Sequence, residues 1–144
     1  MVKITGRMAH AARLKRLRSP GMVREIGKAI KAAADELEGE AEHSITAGAA
    51  SGQKGGKHQH IPSLPGQPPN EEFGTLRANI ETKMTRQLTA EVSSNAPYGA
   101  ALEFGTSKMA ERPFMRPAAE KTRPKAQKLV ADAVHRVVTK GEKL

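Results

Sequence analysis

Ser107 and Lys108 are the residues whose types come closest to covalent chemistry. A serine beside a lysine base can act as a nucleophile, and this pair lies in the run Gly105-Thr106-Ser107-Lys108. Adjacent residues rarely present their side chains to each other, however, and no histidine is near them in the sequence. We therefore expect no catalytic residue here.

His58 and His60, with His43 upstream, have the types of a metal-binding group. A zinc site needs further His, Cys or carboxylate ligands, and none lies within a few residues of the pair. The chain has no cysteine, which excludes disulfides and thiolate metal sites. The phosphate-loop, dinucleotide, zinc-protease and nucleophile-elbow motifs are also missing. These observations predict neither an enzyme nor a bound metal or cofactor.

The stretch from Asn95 to Glu120 holds the only tyrosine and two of the three phenylalanines of a chain with no tryptophan. Its glycines and prolines punctuate regular structure, so we expect a shaped connection that supplies core or interface anchors. Glu103 is expected to form a salt bridge or an inter-subunit contact with Arg112 or Arg116. The residues predicted to form an assembly interface are Tyr98, Glu103, Phe104, Lys108, Met109, Arg112, Phe114 and Arg116.

Two long helices and a small sheet must position this stretch. Ser19-Pro20 begins an apolar repeat at steps of three and four, which predicts a helix from Pro20 to about Thr46. Acidic residues crowd its second half, so we expect basic groups from the C-terminal segment or from a neighbouring subunit to face them. Residues 7–18 predict a short basic helix, and Val2–Thr5 a possible edge strand.

Residues 75–84 and 87–94 alternate apolar and polar residues, which predicts two strands joined through Thr85-Arg86. Because two strands alone are not stable, a third is expected from residues 2–5, from residues 98–104 or from another copy. The last segment, Arg116 to Lys140, begins with Pro117 and is interrupted at Pro124. The apolar repeat after Pro124 predicts a helix that has Thr122 or Arg123 at its cap and ends at Gly141. The predicted fold is a single α+β domain over residues 1–144, with a small antiparallel or mixed sheet packed against the two long helices.

Residues 47–70 are rich in Gly, Ser, Gln, Lys, His and Pro and have scarcely any apolar side chain. This composition predicts a flexible or protruding arm, whose proline-rich part is stiffer and suited to lying along a partner. The arm residues singled out are Lys54, Lys57, Pro62, Pro65, Pro68 and Pro69.

The net charge of +9 is placed unevenly. Residues 1–31 carry nine Lys/Arg against Glu25 alone, and residues 121–144 carry seven against Asp132 and Glu142. Basic ends around an acidic middle suit a polyanion, or contact of one copy's basic end with the next copy's acidic middle. A solvated basic face that serves solubility alone is the third interpretation. No apolar run is long enough for a membrane span or a secretory signal, so we expect no membrane partner.

Two blocks of the sequence combine turn residues with apolar ones in a recognisable order. They read Pro62-Ser63-Leu64-Pro65-Gly66-Gln67-Pro68-Pro69-Asn70 with Gly74-Thr75-Leu76-Arg77-Ala78-Asn79-Ile80, and Ala96-Pro97-Tyr98 with Leu102-Glu103-Phe104-Gly105-Thr106-Ser107-Lys108-Met109 and Arg112-Pro113-Phe114-Met115-Arg116-Pro117-Ala118. The second block, which lies between Ala96 and Ala118, is the more detailed of the two. Together the blocks resemble the tail-completion, or head–tail joining, proteins of long-tailed bacteriophages.

The resemblance implies a structural virion protein in the tail or neck, present in the host cytoplasm during assembly. Such proteins form a ring, commonly six-fold, at the head-proximal end of the tail. Its implied partners are further copies, the tail tube protein, the head-completion or connector protein, and the genomic DNA that passes through the lumen. The alternative function is non-specific DNA binding by the basic N- and C-terminal segments, although no aromatic residues are interleaved there to stack on bases.

Overall fold

The computed structural model describes residues 6–46, 61–71 and 73–140. The predicted strand at residues 2–5, the histidines His58 and His60, the arm residues Lys54 and Lys57, and the helix end at Gly141 lie outside this part of the chain. The elements in order are α1 (Arg7–Leu17), α2 (Pro20–Thr46), α3 (Thr75–Ala78), β1 (Ile80–Arg86), β2 (Thr89–Ser94), α4 (Gly99–Phe104) and α5 (Met115–Lys140).

Helix α2 has the predicted start and length. The Ser19 hydroxyl accepts a hydrogen bond from the Met22 backbone N–H at 3.2 Å, which caps the first turn, and Pro20 occupies the first helical position. The apolar repeat places one face of the helix inside the protein. The buried residues on that face are Met22, Ala29, Ala34, Ala41 and Ile45.

Helix α5 runs antiparallel to α2 and packs along it. Lys121 pairs with Glu40 at 2.6 Å, and Lys125, one turn later on α5, pairs with Glu36, one turn earlier on α2. The opposite order of the two pairs fixes the relative direction of the helices. The prediction that basic groups of the C-terminal segment face the acidic half of α2 is confirmed.

The predicted interruption at Pro124 is wrong, because α5 is continuous through that residue. Thr122 lies inside the helix and not at a cap, where its hydroxyl donates to the Ala118 carbonyl at 2.8 Å. Pro124 removes one backbone donor on an exposed face. The pairs of Lys121 and Lys125 with α2 lie on both sides of Pro124, so packing on α2 offsets that loss.

The predicted first strand is a helical turn followed by a shorter strand. Gly74, at φ +73°, precedes α3, and Asn79 ends it with a side-chain amide that donates to the Thr75 carbonyl at 2.7 Å. Leu76 and Ile80 are both buried. Their spacing of four fits a helical turn as well as strand alternation, so the sequence pattern alone does not distinguish the two.

Strands β1 and β2 form an antiparallel hairpin with Ile80 opposite Ser94 and Met84 opposite Ala90. The pairing shifts between Met84 and Arg86, so the turn lies at Gln87-Leu88 and not at Thr85-Arg86. The hairpin packs on α2, where the Thr82 hydroxyl donates to the Ala34 carbonyl at 3.4 Å. Residues 98–104 supply no third strand, because 99–104 form α4. Across the described residues the sheet has two strands.

The α+β prediction, with two long helices and a small antiparallel sheet, is confirmed. The main core lies where the start of α5, the end of α2, α3 and the start of β1 meet. Its buried members are Ala41, Ile45, Leu76, Ile80, Ala96, Phe114 and Ala118. Within the described residues no helix combines the length and apolar character that crossing a membrane requires.

Residues 61–70 lie against the domain, so the arm interpretation is corrected for this part. The Gly66 N–H donates to the Glu111 carbonyl at 2.9 Å, and Arg112 Nε donates to the Ser63 carbonyl at 3.2 Å. Ser63 and Pro69 are buried, Pro62 and Pro68 are partly buried, and only Pro65 of the four singled-out prolines is exposed. These backbone contacts were not visible from composition.

Gly27→Ala is expected to destabilise the protein because a Cβ at this position would lie 2.8 Å from the Gln87 carbonyl oxygen. Gly39→Ala is the matched control on the same helix, where no described atom lies within 4 Å of the added Cβ. Alanine is favoured over glycine in a helix by about 1 kcal/mol, so Gly39→Ala should raise the free energy of unfolding by about that amount. Urea unfolding of both variants measures this. An equal gain in the two variants would contradict the close approach of the hairpin to α2.

Candidate functional site

Helix α4 is held between two glycines that the local backbone requires. A Cβ on Gly99 would lie 2.7 Å from the Ser94 hydroxyl oxygen, so only glycine fits unless that side chain moves. Gly105, at φ +72°, ends the helix and turns the chain. Thr106 and Met109 then exchange backbone hydrogen bonds of 2.8 and 3.3 Å and close a tight turn. The Arg112 N–H donates to the Leu102 carbonyl at 2.7 Å, which fixes the returning chain against α4.

Glu103 connects α4 to the beginning of α5. Its side chain is buried, and its carboxylate accepts hydrogen bonds from the backbone N–H groups of Phe114 at 2.8 Å, Met115 at 3.0 Å and Arg116 at 2.9 Å. These N–H groups have no partner within their own helix, and the positive end of the helix dipole favours a carboxylate there. The carboxylate therefore accepts hydrogen bonds from the N–H groups at the start of α5 and caps this helix, although Glu103 lies more than ten residues before it in the sequence.

The predicted pairing of Glu103 with the side chain of Arg112 or Arg116 is corrected. Arg112 bonds the Ser63 carbonyl, and Arg116 pairs with Glu111 at 3.2 Å on the surface. Because the buried carboxylate already accepts three hydrogen bonds from backbone N–H groups, it does not require a guanidinium as an additional partner. Glu103 is thus part of the chain's own architecture and not part of an exposed interface.

Phe114 also belongs to the core, because its side chain is fully buried between α2, α3 and α5. Its inclusion in an exposed assembly surface is corrected for the same reason. The other three aromatic residues of the chain lie outside the core. Phe73 is 84% exposed, Phe104 is 75% exposed and Tyr98 is 44% exposed.

A groove with a volume of about 620 Å³ lies between the segment 62–76 and the segment 98–112. Tyr98, Met109 and Arg112, all predicted interface residues, contribute to its walls. Sequence reasoning missed Leu102 and Phe73, of which Phe73 is the only aromatic residue outside residues 95–120. The apolar and aromatic residues that line this groove are Pro62, Pro69, Phe73, Leu76, Tyr98, Leu102 and Met109.

Phe104 and Lys108, the remaining predicted interface residues apart from Arg116, are exposed and do not line the groove. Ser107 is exposed beside Lys108 in the turn, and the backbone N–H of Lys108 donates to the Thr106 hydroxyl at 3.2 Å. Among the described residues no three His, Cys, Asp or Glu side chains come together as a metal site would require.

The described parts of the two basic ends, helix α1 and the later part of α5, lie together at the end of α5 that is far from α4. Helix α1 contains no acidic residue, buries none of its side chains and packs beside α5 and the start of α2. The antiparallel pairing places the basic first half of α2 beside the second half of α5. The Nζ atom of Lys28 lies 2.8 Å from Oε1 of Glu25, and this contact lowers the pKa of the Glu25 carboxyl. Arg136 on α5 acts on this pKa in the same direction. Basic side chains on both α2 and α5 therefore act on the Glu25 carboxyl.

A second groove of about 770 Å³ opens at this basic end, between α2 and the hairpin turn. Four basic side chains contribute to its walls together with Val23 and Met84. They are Arg18, Arg24, Lys28 and Lys31.

No protein-family model, curated protein or solved structure matches this chain.

Glu103→Ala is expected to lower the free energy of unfolding by about 3 kcal/mol or more, because three N–H groups at the start of α5 lose an ionised acceptor. Glu103→Gln keeps one carbonyl oxygen and should cost less. Glu111→Ala is the matched control, since its pair with Arg116 is exposed and worth about 1 kcal/mol at most. Chemical unfolding of the three variants measures this. Equal stability of Glu103→Ala and Glu111→Ala would contradict the capping role.

Proposed function

We propose that this chain is a structural assembly protein of a long-tailed bacteriophage, which forms a ring at the head-proximal end of the tail, completes the tube and joins it to the head. The observation that carries the proposal is the exposure of three of the chain's four aromatic residues. All three lie in or beside the two sequence blocks that resemble tail-completion proteins.

Aromatic side chains at the surface are candidates for burial against a partner. Large exposed apolar patches mark interaction sites, and aromatic residues are enriched where interfaces are buried. Here the only aromatic ring inside the core is Phe114. A chain with so few aromatic residues would gain stability by burying the others, so their position at the surface supports a contact function.

The segment that carries Tyr98 and Phe104 is held rigidly. The Glu103 carboxylate fixes α4 to α5. Backbone hydrogen bonds also join Gly66 to Glu111 and Arg112 to Leu102. A preorganised surface loses less conformational entropy on binding. This is the property required of a protein that assembles from single chains into a joint.

A second candidate function, non-specific DNA binding, is favoured by the convergence of both basic ends. Residues 7–31 carry eight Lys/Arg against one acid, and α1 presents its basic side chains to solvent. Neutralising phosphates with such groups releases counterions, so binding of this kind is strong at low salt and independent of base sequence. The basic end is separate from the aromatic surface, so both functions can coexist.

Purified protein added to tail tubes assembled without it should appear as a ring at one tube end in negative-stain images, and added heads should then join. We expect this because the proposed function covers the exposed Phe73, Tyr98 and Phe104 side chains only in the assembled joint. A tube preparation without the protein is the control. Bare tube ends and no joined particles after addition would contradict the assembly function.

Arg13→Glu with Arg16→Glu should weaken binding to duplex DNA by at least about tenfold at low salt, since each reversal replaces an attractive charge with a repulsive one. Arg123→Glu with Lys128→Glu is the control, with the same change of net charge at two exposed residues outside α1. Gel shift over a salt series measures both. Equal DNA affinity of the two double variants would exclude α1 as the binding surface.

A further inference from the structure

We propose that the basic groove, the cavity of about 770 Å³ between α2 and the hairpin turn, binds an acidic segment of a partner protein that carries an apolar side chain between its carboxylates. The groove is formed by residues 18–31 together with Met84 and Gln87 of the hairpin. This contact goes beyond the proposed function, because it requires neither a ring nor DNA.

The hairpin turn closes one side of the groove through a close approach to α2. A Cβ on Gly27 would lie 2.8 Å from the Gln87 carbonyl oxygen, so the turn lies as near to the helix as glycine allows. Val23, one turn before Gly27, is half-buried, and Met84 on β1 is 37% exposed. Both side chains line the groove. They provide an apolar surface that a partner side chain can remove from water.

Basic side chains line the same groove, and the described residues that line it include no acid. They are Arg18, Arg24, Lys28 and Lys31. The last three recur on α2 at steps of four and three, so they lie along one face of the helix over roughly 10 Å at 1.5 Å per residue. An extended chain covers that length with about three residues at roughly 3.3 Å each. The row therefore matches an apolar residue with an acid on either side.

Lys28 and Lys31 also have acidic neighbours within the chain. The Lys28 Nζ lies 2.8 Å from Glu25 and the Lys31 Nζ 2.8 Å from Asp35, while the two lysine side chains are 70% and 57% exposed. Exposed pairs of this kind contribute little to stability, and an ammonium group has three donors. Residues 18–31 carry four basic side chains and one acid. Positive charge therefore remains for the carboxylates of a partner.

A peptide matches the groove better than a nucleic acid or a second copy does. Phosphates supply negative charge but no apolar side chain to cover Val23 and Met84, and no aromatic residue lines the groove to stack on single-stranded bases. In a second copy, three of the five acids in the second half of α2 are already paired. These three are Asp35, Glu36 and Glu40. Recognition of acidic motifs by clustered basic side chains is an established mode of peptide binding.

The test uses three short synthetic peptides with blocked ends and the full chain. The leucine peptide has a central leucine flanked by glutamates. The serine peptide replaces the leucine, and the neutral peptide replaces the glutamates with glutamines. Fluorescence anisotropy measures their affinities. The wild-type protein should bind the leucine peptide at least about tenfold more tightly than either other peptide, because burial of the leucine and contacts with the carboxylates both contribute.

Lys28→Gln with Lys31→Gln should weaken binding of the leucine peptide by at least about tenfold, because the basic row loses two of its charges. Lys121→Gln with Lys125→Gln is the matched control. These lysines are 67% and 59% exposed, also pair with acids of α2 and lie outside the groove, and their replacement changes the net charge equally. Affinity in this control should stay within about twofold of the wild type, because distant exposed charges are screened.

Met84→Ser removes part of the apolar surface and should reduce the preference for the leucine peptide over the serine peptide to less than about threefold. Met8→Ser, at a residue 85% exposed on α1, is the control and should keep the wild-type preference. Thermal unfolding of every variant verifies that it is folded.

Equal wild-type affinity for the leucine and serine peptides would overturn the proposed contact, as would equal effects of the two double lysine variants. No binding of the leucine peptide, together with duplex DNA binding that depends on Lys28 and Lys31, would assign the groove to nucleic acid and also overturn it. The tube-capping assay and the DNA affinity of the Arg13 and Arg16 variant are separate measurements. Failure of either would leave the peptide contact standing, and failure of peptide binding would leave the proposed function standing.

Discussion

The hydrogen bonds between the Glu103 carboxylate and the start of α5 are the constraint on which the rest of the structure depends. Three backbone donors converge on one carboxylate, which as an ion is only an acceptor and so matches them without leaving a donor of its own unpaired. The contact fixes where α5 begins and places Phe114 in the core beside it. From that start α5 runs back along α2, and its direction determines that Lys121 and Lys125 face Glu40 and Glu36. The same direction brings the two basic ends of the chain together.

The core that this arrangement closes is small. Phe114 and Ile45 are its only large side chains with almost no exposure among the described residues, and most other buried positions on the two long helices are alanines. Alanine lets helices approach closely but removes little apolar area from water, so each contact contributes modestly to stability. Burial of further apolar surface against a partner stabilises the folded chain by mass action. The core is therefore small for the same reason that the surface is rich in exposed rings: three of the four aromatic side chains lie outside the core.

Local signals made α2 predictable, because a capping serine, a first-turn proline and an apolar repeat lie within one continuous segment. The sequence predictions were wrong where the structure depends on a contact between residues distant in sequence, or where a helical and a strand pattern give the same spacing of apolar residues. Leu76 and Ile80 satisfy both a helical and a strand pattern. Pro124 lies in a helix whose continuity depends on α2. The N–H partners of Glu103 lie 11 to 13 residues away in sequence, so its cap cannot be seen in any single helical turn. The groove combines segments 62–76 and 98–112, and only the fold shows that Phe73 and Tyr98 share it.

The position of charge relative to the aromatic surface bears on how copies of a protein with net charge +9 can associate. Phe104 lies beside the start of α5, and α1 packs beside its later part. Over the 26 residues of α5 the rise is roughly 40 Å at 1.5 Å per residue. Ions screen charges over about 8 Å at physiological ionic strength, so repulsion between basic ends is weak at an interface near the other end of the helix. In a ring, rotation repeats the basic end of every copy at the same height and radius. A ring of the proposed kind would thus place the basic ends of several copies on one level, where together they offer a polyanion more positive charge than a single copy does.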